Sequence, residues 1–166
     1  MKIYLALSCK VGTPRRVLKE LQDLNVPRGD IFLLFGPIDI LIEFWKLKSL
    51  DEYIEKWLNP IRMVGAEEGL IVGTLTLIVG LEGPSFTEVP FAVVFLNTKP
   101  PKFEIVRRSV LGIPEVLSAD AVFGPYDMIC PVRAKDLADL ERVLLSIQTS
   151  VSGIERTMTC IVKEVY

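Results

Sequence analysis

The stretch Phe-Gly-Pro-Ile-Asp-Ile at residues 35–40 recurs as Phe-Gly-Pro-Tyr-Asp-Met at residues 123–128. A second stretch, Thr-Leu-Thr-Leu-Ile-Val at residues 74–79, recurs as Thr-Met-Thr-Cys-Ile-Val at residues 157–162. The two pairs come in the same order and at similar spacing. This agreement in register indicates that the chain carries two copies of one folding unit.

The segment between the copies is rich in Gly and Pro, which is typical of a linker. We therefore predict a first domain at residues 1–80, a linker at residues 81–90 and a second domain at residues 91–166. Each copy has the apolar pattern of a strand, a helix, two strands joined by the Gly-Pro turn, a helix and a last strand.

This βαββαβ order predicts a ferredoxin-like α+β sandwich, in which two helices cover one face of a four-stranded antiparallel sheet. Because the other sheet face stays uncovered, we expect the two domains to pack sheet to sheet as a pseudo-dimer. Pro131 falls in a predicted central strand, where it cannot donate a ladder hydrogen bond. We expect a bulge there or an early end to regular pairing.

The composition excludes several classes of function. The 166 residues contain no histidine, the commonest general base and a frequent metal ligand, and the net charge is −2. The three cysteines, Cys9, Cys130 and Cys160, are not at CxxC spacing and lie in apolar runs. We interpret them as buried and reduced, predict no metal and no cofactor, and expect a cytoplasmic protein without a membrane segment.

The second copy resembles the effector-binding (RAM) domain of the Lrp/AsnC transcriptional regulators. The resemblance rests on residues 92–96, 113–116, 123–129, 132–137 and 153–159. The first copy resembles a diverged version, which keeps the glycine, aspartate and threonine positions and has Ile38 where the second copy has Tyr126.

The resemblance implies a module that senses a small molecule, often an amino acid, and that assembles into oligomers. The family places a helix-turn-helix before this module, whereas here a strand follows almost directly after Met1. We therefore expect no DNA-binding domain and no direct contact with DNA. The expected partners are an effector, further copies of the chain and related regulators.

The candidate ligand-binding residues lie in the two repeated stretches of the second copy. They are Gly124, Tyr126, Asp127, Thr157 and Thr159. An aspartate suits an ammonium group, and hydroxyls and exposed backbone N–H groups suit a carboxylate. The alternative is structural, because Gly-Pro-x-Asp is also a good tight turn and threonines favour strands. At Gly36 and Asp39 of the first copy we favour the structural interpretation.

Three functions remain open at this point. The first is an amino-acid-sensing module related to the regulators, and the second is an assembly partner that binds no small molecule. The third is an enzyme, since relatives of the family include decarboxylases of the haem pathway. Those relatives rely on histidine, which this chain lacks, so we expect no enzymatic activity.

Overall fold

The computed structural model describes residues 1–27 and 29–166. The chain divides into two compact units, one formed by Met1–Ile78 with Lys163–Tyr166 and the other by Val79–Val162. The domain boundaries expected from the sequence, like the interpretation of the copies as a tandem repeat, stay predictions.

The first unit contains an antiparallel sheet with helices on one face. Its described elements are β1 (Ile3–Cys9), α1 (Pro14–Asp23), β2 (Ile31–Phe35), β3 (Ile40–Phe44), α2 (Leu50–Tyr53), α3 (Asn59–Arg62) and most of β4 (Ile71–Leu81). Alternate residues of β1 and β3 point towards the helices and form the core. They are Ile3, Leu5 and Leu7 with Ile40, Ile42 and Phe44, packed on Val17, Leu21, Tyr53 and Ile61.

The second unit repeats this order of elements. They are β5 (Ala92–Thr98), α4 (Phe103–Leu111), β6 (Asp120–Phe123), β7 (Met128–Val132), α5 (Leu137–Ser150) and most of β8 (Ile154–Val165). Its core combines Ala92, Val94 and Leu96 with Met128, Cys130 and Val132, covered by Val106, Val110, Leu140, Val143 and Ile147.

Side-chain caps begin two of the helices. The Ser49 hydroxyl accepts the Glu52 N–H at 3.1 Å before α2, and an Asp136 carboxylate oxygen accepts the Asp139 N–H at 2.8 Å before α5. Each cap satisfies a backbone donor that the first helical turn leaves unpaired.

A π-turn precedes Asn59-Pro60. Residues Ile54–Leu58 connect α2 to α3 as a π-helical segment, and the Asn59 N–H donates to the Ile54 carbonyl. Pro60 lies in the first turn of α3, where a missing N–H costs little. The wider turn lets the helical path continue past the proline.

The strand order corrects the predicted fold class. Over the described residues the hydrogen-bonded order is β1-β3-β2-β8-β5-β7-β6-β4, and the sheet closes as a barrel. The expectation of two separate ferredoxin-like sandwiches packed face to face as a pseudo-dimer is therefore wrong. The physical reason is the length of β4 and β8, which have 11 and 12 residues against five in β2 and β3. Each long strand begins in one unit and ends in the other.

Pro131 shortens one ladder and leaves the other regular. On the β5 side, pairing continues in register through Val93↔Pro131. On the β6 side, the named ladder holds only Asp120↔Ile129 and Ala121↔Met128, and the Leu117 N–H donates to the Pro131 carbonyl at 2.9 Å. The predicted early end of regular pairing is confirmed on that side.

None of the helices in the described part of the chain is long and apolar enough to cross a membrane.

Candidate ligand-binding site

The aspartate of each repeated hairpin binds the backbone of a neighbouring strand. An Asp127 carboxylate oxygen accepts the Thr98 N–H at 2.7 Å and faces the Thr98 hydroxyl at 3.4 Å. The register of β5 against β8 shifts between Asn97 and Thr98, so the carboxylate satisfies an amide at a β-bulge. In the first unit, Asp39 accepts the Cys9 N–H at 2.7 Å at the corresponding shift in β1.

The hairpin glycines adopt a conformation that other residues avoid. Gly36 and Gly124 both have φ of 151°, in a region that is almost restricted to glycine. The Gly-x-x-Asp pattern is therefore explained locally, because the glycine makes the turn and the aspartate holds the bulge.

A cleft opens beside the second hairpin and brings two of the predicted site residues together. It has a volume of about 250 Å³ and is lined by Tyr126 and Thr157. The other lining residues are Asn97, Pro125, Arg156 and Met158. Pro125 and Tyr126 come from the hairpin and Asn97 from the end of β5. The other three side chains come from the start of β8.

Aromatic packing and one amide fix the walls of this cleft. The Tyr126 ring lies on Phe95, which is fully buried, with ring centroids 5.1 Å apart. The Asn97 side-chain amide donates to the Pro125 carbonyl at 2.7 Å and so ties the hairpin to β5. These contacts preorganise the hairpin side of the cleft.

Several donors in the cleft make only weak internal hydrogen bonds. The Tyr126 hydroxyl donates to the Met158 thioether sulfur at 3.2 Å, and sulfur is a poor acceptor. An Arg156 N–H donates to the Asn97 side-chain amide oxygen at 3.4 Å. The Thr157 hydroxyl oxygen accepts a hydrogen bond from the Gln148 side-chain amide at 3.4 Å. A carboxylate would be a better acceptor for the tyrosine and arginine donors, since charge-assisted hydrogen bonds are stronger.

The other predicted site residues lie outside this cleft. Gly124 is exposed in the turn, Asp127 is engaged with the β5 backbone, and Thr159 pairs with Val94 on the sheet. The sequence analysis missed Asn97 and Arg156. The signal for Arg156 was its position directly before the repeated threonine, where an exposed cation adjoins a candidate hydroxyl.

A second cleft in the same unit, of about 530 Å³, is lined by charges that neutralise one another. The Arg142 guanidinium contacts Glu115 at 2.7 Å and Asp139 at 2.8 Å, and Arg133 pairs with Glu88 at 2.6 Å. The hydrogen bond from Arg142 lowers the pKa of Glu115. The charges that line this second cleft are therefore already compensated within the chain.

The cysteines do not form a reactive or metal-binding site. All three are buried, and burial raises the pKa of the Cys9 and Cys130 thiols to about 12. Within the described ranges, no group of three Cys, Asp or Glu residues is placed to hold a metal ion. Thiols that stay protonated are poor nucleophiles and poor metal ligands.

Comparison with known proteins identifies the second half of the chain. Residues 91–166 match the model of the Lrp/AsnC ligand binding domain. The HTH-type transcriptional regulator FL11 of Pyrococcus furiosus is 26% identical over 105 residues, which cover 63% of this chain and 68% of that regulator. The HTH-type regulator PH0140 of Pyrococcus horikoshii is 32% identical over 74 residues, 45% of this chain and 47% of the relative. Residues 91–166 are thus similar to the ligand-binding domain of the Lrp/AsnC regulators.

The fold of the whole chain also occurs in solved structures of low sequence identity. The siroheme decarboxylase NirDL superposes with a TM-score of 0.62 at 8% identity, covering 99% of this chain and 72% of that one. A heme-binding protein from Thermus thermophilus gives a TM-score of 0.54 at 11% identity, with 98% and 91% covered. These similarities concern the fold alone.

Proposed function

We propose that the second unit of this chain senses a small molecule, an amino acid, in the cleft formed by Asn97, Tyr126, Arg156 and Thr157. The observation that carries the proposal is the coincidence of two findings. The Lrp/AsnC ligand-binding match spans residues 91–166, and these residues enclose a cleft with an arginine and a tyrosine whose donors are weakly used.

The chemistry of the cleft suits an α-amino acid. Arg156 and the Tyr126 hydroxyl would bind the carboxylate, since a guanidinium offers donors in the fork geometry that a carboxylate accepts. The Asn97, Pro125 and Thr157 oxygens are neutral acceptors for the ammonium group. In this proposal Asp127 acts through the bulge at Thr98, which positions Asn97, while Gly124 and Thr159 shape the surrounding strands.

We propose that the chain binds a ligand without catalysing a reaction and that it lies in the cytoplasm. We propose that it acts by self-association and with related regulators and does not contact DNA directly. The net charge of −2 supports the last point, because DNA affinity depends on clustered positive charge. The alternative is an assembly partner with the same fold and no ligand.

A thermal-shift screen of the whole chain against the twenty amino acids tests the proposal. A ligand at about 100 times its Kd adds about 2.7 kcal/mol to the free energy of unfolding. In a chain of this size, that corresponds to a rise in Tm of about 5–10 °C. We expect one or a few amino acids to give such a shift.

Arg156→Gln is the diagnostic variant and Arg62→Gln is its matched control. Arg62 is an arginine of the first unit beside Thr74, the threonine that corresponds to Thr157 in the repeat. Loss of the guanidinium should weaken binding about tenfold or more, whereas the control should keep the full shift. A flat amino-acid panel, or equal shifts in both variants, would favour the ligand-free alternative.

Haem provides the test of the enzyme alternative. The names of two fold neighbours concern siroheme and heme, yet this chain has no histidine to serve as an axial ligand. We expect added haem to keep the absorbance of free haem in the presence of the protein. A stoichiometric change in the Soret band would contradict the assignment.

A further inference from the structure

The first unit contains a cleft of its own, next to the first hairpin. Its volume is about 320 Å³, and its lining includes Arg15, Phe35, Gly36, Asp39 and Lys163. None of these residues belongs to the cleft proposed above for the amino acid. The volume is large enough for a small organic molecule.

The two positively charged side chains that line this cleft, Arg15 and Lys163, differ in whether they form an ion pair. Arg15 is paired with Glu164, and one of its N–H groups also lies 3.2 Å from the Tyr166 hydroxyl oxygen. Asp39, the carboxylate of the lining, accepts the Cys9 N–H at 2.7 Å. Lys163 is exposed and forms no ion pair with any residue in the described part of the chain. Its ammonium group is therefore the positive charge available to a ligand.

An exposed aromatic ring holds this ammonium group at the cleft. The Lys163 Nζ lies 5.0 Å from the centroid of the Phe35 ring, within the range of a cation–π contact. Phe35 is 65% exposed, so most of its ring surface is open to a ligand. Gly36, which follows it, has no side chain to cover the ring.

The corresponding position in the second unit has a different chemistry. Gly80 corresponds to Lys163, because each directly follows the second repeated stretch, at residues 74–79 and 157–162. In the first repeated stretch, Phe123 corresponds to Phe35. A Cβ at Gly80 would lie 2.7 Å from Cε2 of Phe123, so the backbone itself approaches this ring. Phe123 is 67% exposed without a lysine in that place. The cation is a property of the first unit.

From these contacts we infer that the first-unit cleft is a separate binding site for a small organic anion. The Lys163 ammonium would bind the carboxylate of the ligand, and the uncovered part of the Phe35 ring would contact its planar or apolar portion. The proposal goes beyond the sensing of an amino acid in the second unit, and either can fail without the other.

Titration of the ¹⁵N-labelled whole chain with benzoate tests the inference by NMR. A ligand of this size in an open cleft should bind with a Kd of about 1 mM. We expect the Gly12, Gly36 and Lys163 amide signals to shift and saturate. Benzamide has the same ring without the charge, so it should bind about tenfold more weakly.

Two variants and a control identify the residues responsible. Lys163→Gln should weaken benzoate binding about tenfold, and Phe35→Ala should weaken it by a similar factor. Phe123→Ala removes the corresponding ring of the second unit and should leave the benzoate titration unchanged. The inference is overturned if benzoate shifts no signal of the first unit, if benzamide binds as well, or if Lys163→Gln keeps the full affinity.

Discussion

Asp39 and Asp127 show how one residue sets the local geometry of each copy. Each carboxylate accepts a backbone N–H at 2.7 Å, from Cys9 and Thr98 respectively, where the strand register shifts. Without the carboxylate, the bulge would leave a partly buried amide unsatisfied. Asp127, which the sequence suggests as a ligand contact, thus has the same kind of backbone partner as Asp39 in the first copy.

Replacing either aspartate by alanine should destabilise the fold. A hydrogen bond to a charged acceptor contributes about 1.5–3 kcal/mol, so Asp39→Ala and Asp127→Ala should each lower Tm by about 3–10 °C. Because asparagine keeps an acceptor oxygen, Asp127→Asn should lower the stability by about half as much as Asp127→Ala. Differential scanning calorimetry checks the series, and an unchanged Tm in both alanine variants would contradict the role of the bulge.

The buried thiols predict a loss of stability at alkaline pH. Burial raises the pKa of Cys130 from 9.0 to about 12. The folded state therefore keeps the thiol protonated, while the unfolded chain ionises above pH 9. Stability is fully present below pH 9 and falls as the pH rises towards 12, by about 1.4 kcal/mol at pH 10.

Urea denaturation between pH 8 and pH 10 measures this effect. Cys130→Ala should lower stability at every pH because it leaves a cavity, but it should reduce the alkaline decline by the contribution of this thiol. An identical pH slope in the wild type and the variant would contradict the assignment.

At the scale of single residues, the repeated motifs contain four of the six residues that line the cleft. Pro125, Tyr126, Thr157 and Met158 lie in the quoted stretches, whereas Arg156 directly precedes one and Asn97 lies outside them. A motif shows which residue types recur, but the cleft depends on where a bulge turns the end of β5. That displacement has no local signature in the sequence.

Among the elements, strands with strong apolar patterns were predicted well. The first and last strands of the predicted order are observed at Ile3–Cys9 and Ile154–Val165. β6 begins only at Asp120, although the apolar run begins at Val116. Pro131 explains this difference, since it offers no N–H to an extended partner strand.

Substitution by alanine should change stability differently at Gly83 and at Gly73. A Cβ at Gly83 would lie 2.6 Å from the backbone nitrogen of Ala119, whereas the nearest atom to a Cβ at Gly73 is 3.7 Å away. Gly83→Ala should cost about 1–3 kcal/mol, because backbone must move. Gly73→Ala should leave stability unchanged or raise it by up to about 1 kcal/mol. Chemical denaturation of the two variants makes the comparison, and equal effects would contradict the close approach at Gly83.

At the scale of the whole molecule, the closure of the sheet was not predictable from the pattern. Alternation of apolar residues shows that both sheet faces are buried, which equally suits stacked sheets and a barrel. The choice depends on which strand edges are hydrogen-bonded. The lengths of β4 and β8, 11 and 12 residues, were visible in the sequence, but the strand order was not.

Self-association is the prediction that belongs to the intact chain. The Lrp/AsnC resemblance implies oligomers, so light scattering should give a mass of at least twice the 18.6 kDa of one chain. The mass should rise with concentration, because assembly follows mass action. A mass of one chain at every concentration would contradict the oligomer.

The most direct test of the central claim is an NMR spectrum of the ¹⁵N-labelled chain with and without a mixture of the twenty amino acids. If residues 91–166 form an amino-acid sensor, the amide signals of Asn97, Tyr126 and Thr157 will shift. An unchanged spectrum, or shifts confined to residues outside this cleft, would contradict the account.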